Sequence, residues 1–76
     1  MITKTILLNT IVDVKDFVNT VARYDFDVDL VSGRYHIDAK SIMGIFSLDL
    51  SHAIKMEIHS ENCEAFLNEV SRFIVE

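Results

Sequence analysis

The chain has 76 residues, and its seven basic and twelve acidic side chains give a net charge of −5 at pH 7. This length predicts a single domain, residues 1–76, and the acidic balance argues against nucleic acid or an anionic membrane as the main partner. Half of the residues are apolar and proline is absent, which excludes a disordered or linker-like chain.

The first two elements are predicted to be a strand and a helix. Residues 2–8 are rich in β-branched and aliphatic side chains, which favour a strand. Residues 14–22 place apolar side chains at the spacing of one helix face: Val14, Phe17, Val18, Val21 and Ala22. Asp13 directly precedes this stripe, and aspartate is favoured at a helix N-cap. We therefore expect an amphipathic helix that begins after Asp13.

A hairpin is predicted next. Residues 26–30 alternate apolar and acidic side chains, and residues 35–38 continue the alternation. A period of two is typical of strands that have one face on the core and one face in water. Gly33, which lies between the two strands, can adopt the positive φ that tight turns require.

The segment 41–50 is too apolar for a loop and too short for a main helix. As a short helix it would place Ile45 and Leu48 on one face, toward the core. The remaining apolar side chains point elsewhere: Ile42, Met43 and Phe46. So short an element cannot bury apolar groups all round, and we expect exposed side chains that form a contact surface. The alternative is that these side chains close one end of the core.

The last two elements are a strand and a helix. Residues 54–59 alternate, and residues 63–74 carry a second helical stripe with Ser60 as its predicted cap. Cys63 lies on this stripe, which favours buried packing over nucleophilic chemistry. The alternating strands indicate an antiparallel sheet with the helices on one face. The predicted fold class is therefore a two-layer α+β domain.

The order of elements and two sequence runs resemble HPr, the histidine-containing phosphocarrier of the bacterial sugar phosphotransferase system. One run is Ala39-Lys40-Ser41-Ile42-Met43-Gly44-Ile45-Phe46-Ser47-Leu48, and the other is Arg23-Tyr24-Asp25-Phe26-Asp27-Val28-Asp29-Leu30. The resemblance covers most of the chain from Asp13 onward. It implies a βαββαβα open-faced sandwich, with a four-stranded antiparallel sheet in the order 1-4-2-3 and the helices on one face.

The chain departs from the family at the phosphorylated histidine. In the family this residue lies in the motif Gly-Leu/Ile-His-Ala-Arg-Pro, between the first strand and the first helix. Here the corresponding stretch, Leu8 to Asp13, contains no His, Arg or Pro, and Thr10 takes the place of the histidine. A hydroxyl without a base does not give the high-energy N–P bond that onward transfer needs. We therefore expect no phosphocarrier chemistry and no enzyme activity.

The resemblance also implies a regulatory and docking site. Ser41 matches the serine that the HPr kinase phosphorylates in many Gram-positive bacteria, although an N-cap role alone would explain a serine here. Ile42, Met43 and Phe46 match the family's apolar docking patch, with Phe46 in place of the usual methionine. Lys40 precedes the serine and belongs to the same predicted partner-binding set.

No metal and no cofactor are expected. His36, His52 and His59 lack a ligand spacing such as i, i+4 on one helix, and solvated histidines are the simpler interpretation. The acidic residues at positions 25, 27 and 29 resemble a calcium loop only superficially, because the glycine and the later bidentate glutamate of such a loop are missing.

The predicted function is a non-catalytic, HPr-like regulatory or adaptor protein of the bacterial cytoplasm. Its predicted partners are proteins, namely an HPr kinase, a transcriptional regulator or a phosphotransferase-system component. The lone cysteine, with neither a secretory signal nor a membrane-spanning stretch, favours the cytoplasm. Two alternatives stay open: a phosphocarrier that uses a non-standard residue, and a degenerate structural domain that forms a homodimer through its apolar helix.

Overall fold

A computed structural model describes all 76 residues of the chain. The strands are β1 (Ile2–Ile6), β2 (Val28–Ser32), β3 (Tyr35–Asp38) and β4 (Ile54–Ile58). The helices are α1 (Ile11–Ala22), α2 (Ile42–Phe46) and α3 (Glu64–Glu69), and a 3-10 turn (Ser71–Phe73) follows α3. None of the helices is long and apolar enough to cross a lipid bilayer.

The four strands form one antiparallel sheet in the order β1-β4-β2-β3. Near its centre, Leu30 of β2 lies opposite Ile37 of β3 and Met56 of β4. β2 and β3 form the predicted hairpin, and Gly33 in its turn has a φ of 59°. The α+β class and the strand order that the resemblance implies are therefore confirmed.

One face of the sheet packs against the helices, and the other face is open to solvent. All 17 buried residues are apolar, and no polar or charged residue is buried. Aromatic rings join the helical segments to one another: Phe17 of α1 meets Phe73 of the 3-10 turn edge-on with ring centroids 5.8 Å apart, and Phe66 of α3 meets Tyr24, just after α1, at 5.2 Å. Burial of apolar surface is the main favourable term in folding, so this core is what joins the two layers.

Helix α1 begins earlier than the sequence predicts. Thr10, not Asp13, is the N-cap, and its Oγ1 accepts a hydrogen bond from the backbone N–H of Asp13 at 3.0 Å. The Asp13 carboxylate in turn accepts from the backbone N–H of Asn9 at 3.2 Å, so the two side chains satisfy free N–H groups reciprocally. The prediction of an Asp13 cap was wrong because Ile11 and Val12, in the first turn, are exposed and lie outside the apolar stripe.

The predicted Ser60 cap is wrong as well. α3 begins at Glu64 with Cys63 at its N-cap, and no side chain caps it. Ser60 instead accepts a hydrogen bond from the backbone N–H of Asn62 at 3.2 Å, which stabilises the preceding turn. Both capping errors have the same cause, because helical periodicity marks the buried face and carries no signal in an exposed or irregular terminal turn.

The C-terminal stripe does not form one helix. α3 ends at Glu69, and the chain continues through the 3-10 turn, which buries Phe73 in the core. Ile74 then forms a bridge to Ile6, and residues 74–76 run beside β1 with backbone hydrogen bonds to it. The apolar residues at 73 and 74 therefore follow a tighter turn and an extended segment instead of a continuous helix.

An exposed polar cluster connects the end of α1 to α3. The Tyr24 hydroxyl donates a hydrogen bond to the Glu69 carboxylate, and the Arg23 guanidinium donates to the same carboxylate at 2.6 Å. The Tyr24 bond is the main reason why the pKa of Glu69 is lowered, and the same bond raises the pKa of Tyr24. Solvent screens these interactions, so they orient the two helices more than they stabilise them.

Candidate functional site

The turn that leads into α2 is held by Asp38 at the end of β3. Its side-chain carboxylate accepts a hydrogen bond from the backbone N–H of Lys40 at 2.8 Å, and its carbonyl accepts from the N–H of Ser41 at 2.9 Å. Ser41 is the N-cap of α2, and its Oγ accepts from the backbone N–H of Gly44 at 3.1 Å. Ser41 itself is exposed to solvent. The candidate regulatory hydroxyl is therefore both a cap and accessible.

Helix α2 presents two different faces. Ile45 is fully buried and Leu48, just after the helix, is 7% exposed, as their helical spacing predicts. Met43 is 77% exposed and Phe46 is 40% exposed. Ile42 differs from the expectation, because it is half-buried and packs against the core. The exposed apolar surface of α2 is thus made mainly of Met43 and Phe46, next to Ser41.

Gly44 allows α2 to lie close to the sheet. A Cβ atom at this position would lie 2.6 Å from Cγ2 of Ile37 on β3 and 3.0 Å from Oγ of Ser41. Contacts under 3.0 Å force a displacement, so any larger residue would push α2 away from β3 or disturb the Ser41 cap. The glycine therefore fixes the position of the candidate site on the fold.

The segment between β1 and α1 holds no imidazole. Thr10, which the sequence analysis predicts to stand at the position of the family's histidine, uses its hydroxyl oxygen to cap α1, and residues 7–10 contain no titratable side chain. His52 lies in the loop between α2 and β4, with its Nε2 3.4 Å from Asp49. The other two histidines lie at the sheet, on its open face. No histidine therefore lies in the segment between β1 and α1.

The open face of the sheet gathers two histidines around one carboxylate. Nε2 of His36 lies 3.0 Å from Oδ2 of Asp29, and Nε2 of His59 lies 2.9 Å from the same oxygen. Partial burial is the largest single effect on Asp29 and opposes its ionisation, but the two imidazoles together outweigh it and lower the pKa of Asp29. The sequence predicted the exposure of both histidines but not their convergence, because convergence depends on the register of three strands.

A shallow cleft of about 260 Å³ separates the β2–β3 turn from the end of α2. Its polar lining includes Arg34, Ser47 and Asp49. Asp49 accepts hydrogen bonds from the hydroxyl and the backbone N–H of Ser51, which lower its pKa. The polar side chains of the cleft are therefore one cation, one carboxylate and three hydroxyl groups.

Comparison with known proteins identifies the relatives of this chain. A sequence model of the family described as "PTS HPr component phosphorylation site" matches residues 14–76. The crystal structure of HPr-C-His from Thermoanaerobacter tengcongensis is similar with a TM-score of 0.79 and 23% identity, over 95% of this chain and 89% of that one. A phosphocarrier protein HPr from Bacillus anthracis is similar with a TM-score of 0.68 and 20% identity, over 96% and 95% of the two chains. No curated protein matches.

Proposed function

Since this chain belongs to the HPr family of the phosphotransferase system, we propose that it is a non-catalytic regulatory or adaptor protein that binds other proteins through α2. The proposed binding residues are Lys40, Ile42, Met43 and Phe46, and Ser41 is the proposed site of regulatory phosphorylation. The observation that carries the proposal is the pair of exposed apolar side chains, Met43 and Phe46, beside the exposed hydroxyl of Ser41.

The physical chemistry of α2 suits a docking surface. Met is flexible and polarisable, so Met43 can adapt to more than one partner surface, whereas the rigid ring of Phe46 needs a matching pocket. Aromatic residues and methionine are enriched at the centre of protein interfaces. Ile45 anchors the helix in the core beneath them, so both side chains are presented from a fixed support.

The segment before α1 argues against a phosphocarrier role. A carrier needs a nucleophile that is activated by a base and is free to receive the phosphoryl group. The Thr10 hydroxyl oxygen already caps α1, and no histidine, arginine or lysine lies between Leu7 and Thr10. The family match begins at residue 14, after this segment. These features support a member of the family that binds partners without passing on phosphate.

Phosphorylation of Ser41 would change which partners α2 can bind. A phosphate adds about −1.5 to −2 charges at neutral pH, directly beside the apolar side chains of α2 and next to Lys40. Such a charge disfavours an apolar partner pocket and favours a basic one. Partners of the proposed kinds, a transcriptional regulator or a phosphotransferase-system component, would thus be selected by the state of this one serine.

Incubation with Enzyme I and phosphoenolpyruvate distinguishes a phosphocarrier from an adaptor. We expect no label on this protein, because no imidazole lies before α1, while a histidine-containing HPr in the same assay becomes labelled. The measurement is phosphate transfer followed by intact mass. An acid-labile, base-stable phosphate on His36, His52 or His59, or a phosphate on Thr10, would contradict the adaptor proposal.

The proposed phosphorylation of Ser41 is tested by incubating the protein with a bifunctional HPr kinase and ATP. We expect one phosphate at Ser41, located by peptide mass spectrometry, and loss of labelling in Ser41→Ala but not in Ser47→Ala, which alters a serine at the other end of α2. If α2 is the docking surface, Phe46→Ala should slow labelling, whereas Val75→Ala, an exposed apolar truncation elsewhere, should not. If the folded wild-type protein stays unmodified, the proposed regulatory role is wrong and Ser41 serves only as the N-cap of α2.

A further inference from the structure

We propose that the open face of the sheet carries a binding site for a divalent transition-metal ion such as Zn²⁺, formed by Asp29, His36, Glu57 and His59. This site lies on the side of the sheet opposite the helices, on strands β2, β3 and β4. It is therefore separate from α2 and independent of the proposed docking function.

Strand register brings the four side chains together. Asp29 of β2 lies directly opposite Glu57 of the neighbouring β4. His36 of β3 lies opposite Val31, two residues along β2 from Asp29, and so occupies the diagonal position. His59 follows β4, and its backbone N–H donates to the carbonyl of Asp27 at 2.9 Å, which extends the pairing by one residue. All four side chains therefore project from the same face of three adjacent strands.

The distances are close to those of a metal site. The Nε2 atoms of His36 and His59 lie 3.0 and 2.9 Å from Oδ2 of Asp29, and Nε2 of His36 lies 3.7 Å from Oε1 of Glu57. The ligand atoms of Asp29, Glu57 and His59 all lie within 4.8 Å of one another. Tetrahedral zinc with bonds of about 2.0–2.1 Å separates its ligands by about 3.3–3.5 Å. Asp29, Glu57 and His59 therefore form the compact group, and rotation of the His36 side chain would bring it in as the fourth ligand.

The donor set favours a transition metal over calcium or magnesium. Imidazole and carboxylate together suit zinc, cobalt and nickel, whereas calcium and magnesium prefer oxygen ligands alone. The two carboxylates are less exposed than the imidazoles, with side chains 26% and 15% exposed for Asp29 and Glu57. The nearest cation is Lys55, whose Nζ lies 3.9 Å from Oε2 of Glu57, so one positive charge opposes two negative ones.

The site is tested on tag-free, metal-free protein by calorimetric titration with Zn²⁺ and by visible absorption with Co²⁺ as a spectroscopic probe. We expect one ion per chain and the d–d absorption of cobalt with nitrogen and oxygen ligands. In ¹⁵N spectra, the Nε2 resonances of His36 and His59 should shift on addition of Zn²⁺, while those of His52 should not. Absence of binding, or His36 and His59 resonances that stay in place, would overturn the proposal.

Matched variants assign the ligands. His59→Ala and Asp29→Asn should each weaken Zn²⁺ binding by at least about tenfold, while His52→Ala removes a histidine outside the cluster and should leave the affinity unchanged. All three positions are outside the core, and far-UV circular dichroism checks that each variant is folded. If His52→Ala weakens binding as much as His59→Ala, the metal binds histidines non-specifically and the assigned site is wrong. Asp29→Asn provides the test should His59→Ala not fold.

Discussion

Phe66→Ala should destabilise the protein by about 3–5 kcal/mol. Phe66 is fully buried, and its ring meets those of Tyr24 and Phe26 edge-on at 5.2 and 5.5 Å. A domain of this size has a total stability of about 4–11 kcal/mol, on the usual scale per residue. The loss of one such ring would therefore remove about half of this stability at the middle of both ranges. Urea unfolding followed by circular dichroism measures the change.

Phe66→Leu is the matched control for this experiment. It keeps an apolar side chain in the same space, so the cavity and the loss of stability should both be smaller than with alanine. A Phe66→Ala variant that unfolds at nearly the wild-type urea concentration would show that α3 is not packed on the sheet as described.

Ile45→Ala should have the second largest effect, a loss of about 2–5 kcal/mol, whereas Met43→Ala on the same helix should change stability by about 0.5 kcal/mol or less. The two side chains lie two positions apart on α2, but Ile45 is fully buried and Met43 is 77% exposed. Urea midpoints of the two variants give the comparison directly, because helix propensity changes little between them.

The outcome of this pair also bears on the proposed docking surface. Equal losses would mean that Met43 is packed inside the protein, and the surface proposed for partner binding would not exist. A large loss for Ile45→Ala alone would agree with a helix that is anchored on one face and free on the other.

Sequence periodicity predicted the parts of the fold that depend on burial. Alternation in residues 26–30 and 54–59 placed Leu30 and Met56 in the core, and helical spacing separated Ile45 from Met43. The strand order came from the family resemblance, because periodicity does not say which strands are neighbours. The start of α1 and the break after α3 were missed, since both depend on hydrogen bonds at helix ends where apolar spacing gives no signal.

The candidate sites differ in how far the sequence could reveal them. The exposed side chains of α2 are local, so the spacing of residues 41–48 predicted the exposure of Met43 and Phe46, but not the packing of Ile42 against the core. The histidines at 36 and 59 belong to distant parts of the chain, and only the pairing of β3, β2 and β4 brings them to Asp29. Without that register, each histidine could only be treated as a separate solvated side chain.

The position of β1 in the sheet determines when the sheet can be completed during translation. β1 is made first, yet its partners on both sides, β4 and residues 74–76, are made in the second half of the chain. On a ribosome, the β2–β3 hairpin can pair as soon as it emerges, while β1 keeps unpaired backbone groups until β4 appears. Of the four strands, β1 is therefore translated first, but it cannot join the sheet until β4, the last of them, has been made.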